Sequence, residues 1–458
     1  MGATADQVRI LSVTHVQPDR QTTNLWPLAD DHTIMKLSFL DSFHVATGPI
    51  QRLFFYDGPG LPPFPFIAGS LRSSLAATLH VFLPLAGKLA FRPASGHVVL
   101  DCSPSAVSSS RVKFVEAEFL PGADALRRLA GDEEHDTEAF AWLVPELDDA
   151  GKLPAPVLAV QVTRPAGDGR GVVAVGVSLH HAVADGKSFW QFLRWWSAAS
   201  RGDLLTAVPG DLMPPPPFDR TAIRHRREEE LTAWILRLRA PMLPTLGHRW
   251  SSSTACRRTK TFLLVADEIQ SLKQRLSQKL PKPASAYVAI SSLAWTCIVG
   301  AKMSSHMIHD DDDAFLMVHA DCRGRLHRPP IDKGFFGNCV KPCYARARAA
   351  NLMPPRHLVE HNDGLAHAAA AIQETIRDGL EAAGENLFAN FGEVLKYHMA
   401  LPPGRASTVG SSHRFMAYET DFGWGPPSRV ELASISPFCL ISQESRVLEY
   451  VLENLHIS

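Results

Sequence analysis

A mixed α/β chain in two large units is what the sequence predicts, and three observations predict it. Val-rich runs of strand character are interleaved with segments of helical period along the chain. At 458 residues the chain has length for two or three domains. A proline-dense stretch, with Pro209 and Pro214 to Pro217, interrupts it near the middle, where a fixed φ and missing N–H donors rule out core strand or helix. The units predicted are residues 1–200 and 221–458, with 201–220 as connector.

Taken in order, residues 8–15 alternate apolar and polar, the period of a half-buried strand, and 51–56 read as a second strand. Residues 66–82 carry apolar side chains at helical spacing, and Pro84 and Gly87 stop them. Two Val-rich runs, 157–163 and 171–179, are joined by a segment of Pro, Gly and Asp, which predicts a hairpin. Residues 188–199 follow as a helix with Phe189, Phe192, Leu193 and Trp196 on one face. Residues 180–186 therefore lie where a buried strand exits toward a helix. Beyond the connector, 261–265 and 315–320 read as strands, and 267–278, 286–301 and 365–381 as helices, the second of them buried. There is no internal repeat. His309 is followed by four aspartates, 310 to 313, and consecutive carboxylates read as a solvated loop before a metal site.

Hydrophobic residues make up 45% and charged residues 20%, so packed cores are expected and general disorder is not. With 46 Lys plus Arg against 47 Asp plus Glu, no broad basic field exists for nucleic acid or an anionic membrane. Seven cysteines without a C-x-x-C pair predict reduced thiols in a cytoplasmic protein, with no zinc or redox motif. No basic segment followed by an apolar run opens the chain, and Asp6 spoils a myristoylation pattern. No stretch approaches the roughly 18 to 20 apolar residues that span a bilayer. The expectation is a soluble, cytoplasmic monomer without a bound metal.

One string carries chemistry by its context: His180-His181-Ala182-Val183-Ala184-Asp185-Gly186, directly after a Val-rich strand. A histidine leaving a rigid strand end can be aimed into a cleft, and its near-neutral pKa lets it take a proton from a hydroxyl or amine. Asp185 has two readings. It orients the imidazole as in a hydrolase triad, or it turns away and pins the loop through an arginine. Gly186 favours a tight turn that needs such pinning. Taken alone, the pair also fits a satisfied loop histidine; a metal site lacks a nearby third ligand.

The H-x-x-x-D-G string, followed about 240 residues later by Asp421-Phe422-Gly423-Trp424-Gly425, resembles the BAHD acyltransferases of plants. Leu37-Ser38-Phe39-Leu40-Asp41, residues 82–88 and Asp321-Cys322-Arg323-Gly324-Arg325-Leu326 agree with that family. Phe335-Phe336-Gly337-Asn338-Cys339 resembles the Y-F-G-N-C motif of the subgroup that acylates anthocyanins and other phenolic glucosides, with Phe in place of the first Tyr. The resemblance runs from Val8 to Ser436.

It implies two chloramphenicol-acetyltransferase-like α/β domains with an active-site channel at their interface. An acyl-CoA co-substrate and a phenolic acceptor meet there, without metal or acyl-enzyme. It implies His181 as general base, Asp185 as a structural residue paired with Arg323, and Trp424 as a candidate oxyanion donor or a packed core residue. Asp421 belongs to the matched motif and is catalytic or, more naturally in a Gly-Trp-Gly turn, a loop anchor. Lys260, Thr261 and Ser285 are expected to meet the phosphates of coenzyme A. The subgroup favours malonyl as acyl group, with Lys187 as the cation for its carboxylate. A hydroxycinnamoyl transferase acting on an alcohol or amine, a condensation-type enzyme using carrier-bound thioesters, and a non-catalytic relative remain open. Residues 437–458 match nothing in the family pattern. Val447, Leu448, Val451, Leu452 and Leu455 are spaced for a short amphipathic helix. A helix there leaves the second sheet incomplete, hence a less stable, association-prone protein.

Overall fold

The chain folds around two principal sheets, each of which borrows a strand from the other half of the sequence. The structure, a computed structural model, describes residues 7–19, 34–110, 112–132, 134–135, 137–147, 151–167, 171–203, 214–246, 257–325, 330–353, 363–381, 387–433, 439–444 and 447–453. The N-terminal half contributes strands β1 (Val8–Val16), β2 (Ile34–Lys36), β3 (Ile50–Asp57), β4 (Lys88–Arg92), β5 (His97–Asp101) and β6 (Val112–Phe119). The short β7 (Glu134–His135) and β8 (Ala155–Pro156) follow, then β9 (Leu158–Pro165) and β10 (Val172–Leu179). The C-terminal half adds β11 (Arg257–Leu263), β12 (Asp313–Asp321), β13 (Val340–Arg348), β14 (Ala406–Val409), β15 (Arg429–Leu432), β16 (Cys439–Glu444) and β17 (Val447–Glu453).

The first sheet has the order β1-β6-β9-β10-β3-β15 and the second β13-β12-β14-β16-β17-β11-β7; β2, β5, β4 and β8 form a small third sheet. The connector region is thus crossed twice, by β15 joining the first sheet and β7 joining the second. The cores are shared in the same way. Phe336, Phe422 and Val430 pack in the N-terminal core, and Phe39 and Leu40 in the C-terminal one.

The centre of the first sheet explains the Val-rich runs. β9 and β10 pair antiparallel, and every residue of β10 is buried, so both its faces want apolar side chains. Gly176 is required inside it: a Cβ there would stand 2.2 Å from the Leu143 carbonyl oxygen. Helices Phe64–Val81 and Gly186–Arg201 pack against each other; Trp196 Nε1 donates to Leu71 O at 3.2 Å and Ser74 Oγ at 3.1 Å.

Two expectations are corrected. Helix Ala286–Ser304 is long and apolar enough to cross a membrane, contrary to the reading that no stretch is. Most of its apolar side chains are instead buried, and it packs against helices Gly364–Glu381 and Ala266–Ser277 as the central core helix of the second half. The C-terminal tail is a hairpin rather than a helix. β16 runs parallel to β14, and β17 pairs with both β16 and β11. The sheet is therefore continued rather than left incomplete, because residues 439–444 and 447–453 supply the ladder partners that a helix cannot. Residues 434–438 and 454–458 lie outside the described chain. His309 and the aspartates after it form a loop leading into β12, and Arg346 Nη2 bonds Asp313 Oδ2 at 2.5 Å, and Arg405 Nη2 bonds Asp312 Oδ1 at 2.6 Å.

Candidate active site

His181 occupies the corner between β10 and helix Gly186–Arg201. The strand end is held by His180 N–H donating to Val157 O at 2.8 Å, and the corner closes with Val183 N–H to His180 O at 3.0 Å. The helix is capped by Asp185, whose Oδ1 accepts from Ser188 N–H at 3.0 Å. Gly186 is the first residue of that helix rather than part of a turn. Its missing side chain is explained by Phe415, whose ring would lie 3.1 Å from a Cβ. His180 is turned inward, with Nδ1 accepting from Ala182 N–H at 3.2 Å.

Asp185 points away from His181. Its Oδ2 accepts from Arg323 Nη2 at 2.8 Å and from Cys339 N–H at 3.0 Å. Arg323 is fully buried and also bonds Asp321 Oδ1 at 2.9 Å, Phe335 O at 2.8 Å and Gly337 O at 2.7 Å. These bonds lace the helix start of the N-terminal half to the loop 335–339 of the C-terminal half. Phe335 stacks in that loop between two guanidinium groups, Arg220 at 5.6 Å and Arg323 at 5.7 Å, which uses the ring and not a hydroxyl. Lys187 belongs to the same lacing, its Nζ 2.8 Å from Asp321 Oδ2. It is therefore engaged by a carboxylate of the protein and not held open for a ligand.

The loop also reaches the histidine. Asn338 Nδ2 donates to His181 O and to Asp41 Oδ1, both at 2.9 Å. Asp41 is buried and in turn accepts from Asn338 N–H, Ser38 N–H and Ser38 Oγ, with Arg220 Nε 3.5 Å away. The sequence does not mark Asn338 and Asp41 as supports, although both stand in stretches that match the family.

Two further histidines, which no motif marks, join His181. The His44 ring lies flat on it, centroids 3.8 Å apart and planes inclined by 3°. His319 comes from β12 in the other half, its Nδ1 3.1 Å from Val409 O. Burial lowers the pKa of all three. For His44 the charge of a protonated His181 adds to the effect, and for His181 its own backbone carbonyl, then Asp185 and Asn338, partly oppose it. Yet His44 and His181 keep partial solvent exposure, and His319 is exposed. Deep placement with retained access means that they line a cleft between the halves. Among the described residues His181 Nδ1 is buried with no well-formed hydrogen bond, whereas Nε2 is neither buried nor bonded. A neutral imidazole with an accessible Nε2 is what proton abstraction needs.

The structure does not bring Trp424 or Asp421 to this place. Trp424 packs on Tyr56, centroids 6.0 Å apart, and its Nε1 is buried without a partner. Tyr56 lies six residues along β3 from Ile50, which pairs with Leu179 beside the histidine corner; at about 3.3 Å per residue that is roughly 20 Å. The helix gives the same answer, since Ser200 Oγ donates to Phe422 O at 2.7 Å, about 21 Å along the axis from Gly186. Asp421 Oδ1 accepts from Gly423 N–H at 2.7 Å and Gly425 N–H at 2.9 Å, and Arg201 donates to its carbonyl. That is the bonding of a loop anchor.

The coenzyme contacts expected from sequence are placed unevenly. Thr261 is buried in the sheet, so its hydroxyl does not face solvent, contrary to expectation. Lys260 is partly exposed, its Nζ 5.6 Å from the centre of the Phe262 ring. Ser285 caps helix Ala286–Ser304, accepting from Val288 N–H at 3.2 Å, and is itself exposed. Among the described residues no group of three His, Cys, Asp or Glu side chains is placed to hold a metal.

Known proteins resemble this chain over nearly its whole length. The model of the Transferase family matches residues 7–436. Phenolic glucoside malonyltransferase 1 of Arabidopsis thaliana is 28% identical, with 93% of this chain and 89% of that protein covered. An Arabidopsis malonyl-CoA:anthocyanidin 5-O-glucoside-6''-O-malonyltransferase is 30% identical, with 95% and 91% covered. Vinorine synthase shares the fold at a TM-score of 0.69 and 19% identity, over 98% of this chain and 95% of that one. F. sporotrichioides TRI101, solved with coenzyme A and T-2, gives a TM-score of 0.63 at 16% identity, over 91% and 94%. The chain belongs to the Transferase family, the BAHD acyltransferases, and is an acyl-CoA-dependent acyltransferase of two chloramphenicol-acetyltransferase-like domains.

Proposed function

We propose that this enzyme moves a malonyl group from coenzyme A to a hydroxyl of a phenolic or flavonoid glucoside, with His181 as general base. The observation that carries the mechanism is the accessible Nε2 of a histidine held at a rigid corner, its ring plane set by His44 and its carbonyl by Asn338. Nε2 takes the acceptor's hydroxyl proton as the oxygen attacks the thioester carbonyl. The tetrahedral adduct then collapses, the C–S bond breaks, and the proton passes from His181 to the departing thiolate. The malonyl and glucoside assignments rest on the two Arabidopsis relatives and on residues 335–339.

Asp185 and Arg323 are positioning residues in this reading, and the loop of Asp421 and Trp424 is architectural. Lys260 and Ser285 are kept as contacts for coenzyme A phosphates, one for its charge and the other for the helix N-terminus it caps. The test is His181→Ala, followed by free-thiol release with malonyl-CoA and a phenolic glucoside. Turnover should fall at least about 100-fold while malonyl-CoA binding persists. A larger loss in His180→Ala would move the base to the wrong imidazole and overturn the assignment.

A further inference from the structure

Three cations near the histidine corner are paired with carboxylates of the protein, and a fourth, reached through the Phe43 and His44 rings, meets no described carboxylate. Lys187 and Arg323 bond Asp321 and Asp185. Arg220 lies 3.5 Å from Asp41 and donates to the carbonyls of Phe218, Phe336 and Val183. The fourth is Arg239, the last residue of helix Glu228–Arg239. Its guanidinium lies over the Phe43 ring, with Cζ 4.6 Å from the centroid. Nε donates to Phe43 O at 3.3 Å and Nη2 to Thr47 Oγ1 at 3.4 Å, both long bonds. Among the described residues no carboxylate stands within ion-pair distance of it.

A cation on a helix's last turn, resting on an aromatic ring, has a structural use by itself. That use does not explain why no described residue supplies a counter-ion. A guanidinium has five N–H donors, and these two bonds occupy one each. The group is half-buried, and burial lowers its pKa, as expected of a charge without a partner. Its position is the second observation. Phe43 meets His44 edge-on with centroids 5.0 Å apart, and His44 stacks on His181. Arg239 is close enough that its charge lowers the pKa of His44.

We propose that Arg239 receives a ligand carboxylate beside the reacting centre, that of the malonyl donor, and so selects the acyl group. This rests on the malonyl-CoA reading above. In a malonyl thioester the carboxylate carbon is two C–C bonds from the carbonyl under attack. An arginine bonded to it stands roughly 6 Å from that carbon. The planar guanidinium fork matches a carboxylate with two parallel bonds, which a lysine cannot do. An acceptor carrying its own carboxylate is the other source of the same chemistry.

The experiment compares kcat/KM for malonyl-CoA and acetyl-CoA with one neutral phenolic glucoside, in the full-length enzyme and in Arg239→Gln, Arg239→Lys and Lys187→Ala. A further arm pairs acetyl-CoA with a carboxylated phenolic acceptor and with its methyl ester. Arg239→Gln should lower the malonyl-to-acetyl ratio at least about tenfold, the loss of one charge-assisted contact. Arg239→Lys should lower it by less, and it carries the test if melting shows that Arg239→Gln does not fold. Equal loss with both donors would make Arg239 structural and overturn the proposal. So would a ratio that falls in Lys187→Ala instead, or an Arg239 effect confined to the carboxylated acceptor. A wild-type enzyme that transfers acetyl but not malonyl refutes the donor reading itself, before any variant is consulted.

Discussion

Replacing Asp185 by Asn separates the two roles open to that residue, an orienting partner of the base and a pin between the halves. The carboxylate is buried and accepts from Arg323 Nη2, Cys339 N–H and Ser188 N–H. Asn keeps one oxygen for the helix cap but removes the charge facing a fully buried guanidinium. Breaking a buried pair from one side costs about 3 to 5 kcal/mol. Arg323 would retain Asp321 and the carbonyls of Phe335 and Gly337, which places the cost near the lower end, about 3 kcal/mol. For a unit of roughly half this chain that is a fall of about 6 to 12 °C in Tm. Activity should fall with it, because the same loop carries Asn338 and its bond to the His181 carbonyl. Melting curves and kcat/KM, measured on one preparation, decide the matter. A Tm within about 1 °C of wild type, with turnover down 100-fold, would show that Asp185 acts on the imidazole and refute the pin.

The remaining predictions concern pH and the remote loop. His44 and His181 have pKa values lowered by burial, so below about pH 6.5 the unfolded chain binds protons that the folded one refuses. Stability is therefore full above that pH and falls as pH drops. The slope is at most about 1.4 kcal/mol per pH unit for each histidine, and His44→Phe should flatten denaturation midpoints measured from pH 7 to 5. Trp424→Phe should change kcat by less than about tenfold, being remote from the base, whereas a 1000-fold loss would mean that the loop reaches the chemistry. Asp421→Ala should lower Tm, since two glycine N–H groups lose their acceptor, and leave turnover of the folded fraction largely intact.

Local pattern was enough for the elements around the proposed base. The Val-rich hairpin, the helix after it and the corner at residues 180–186 were all legible, since β10 is buried on both faces and its composition says so. The same was true of His181, because one short segment holds the strand end, the histidine and the helix cap. What sequence could not show is what comes from elsewhere in the chain to meet that corner. His44 and His319 stand in no motif and become part of the site only because Phe39–Ser42 and β12 are folded against it. Trp424 and Asp421 stand in a conspicuous motif yet lie a whole strand and helix length away, since spacing along a chain carries no information about which end of β3 a loop will reach.

The tail shows the same division. Val447, Leu448, Val451 and Leu452 suit a helix stripe by spacing and a strand by residue type, and the gap between β14 and β11 chooses the strand. Nor does any composition say which cations keep a counter-ion: Lys187 finds Asp321 and Arg239 finds no carboxylate among the described residues. The sequence alone determined the elements around the corner at residues 180–186 and marked His181 as the candidate base, because those depend on residues within one turn or strand of each other. The tertiary structure decided which distant groups surround the proposed base, because burial, stacking and charge pairing depend on separations in space that span more than a hundred residues of chain.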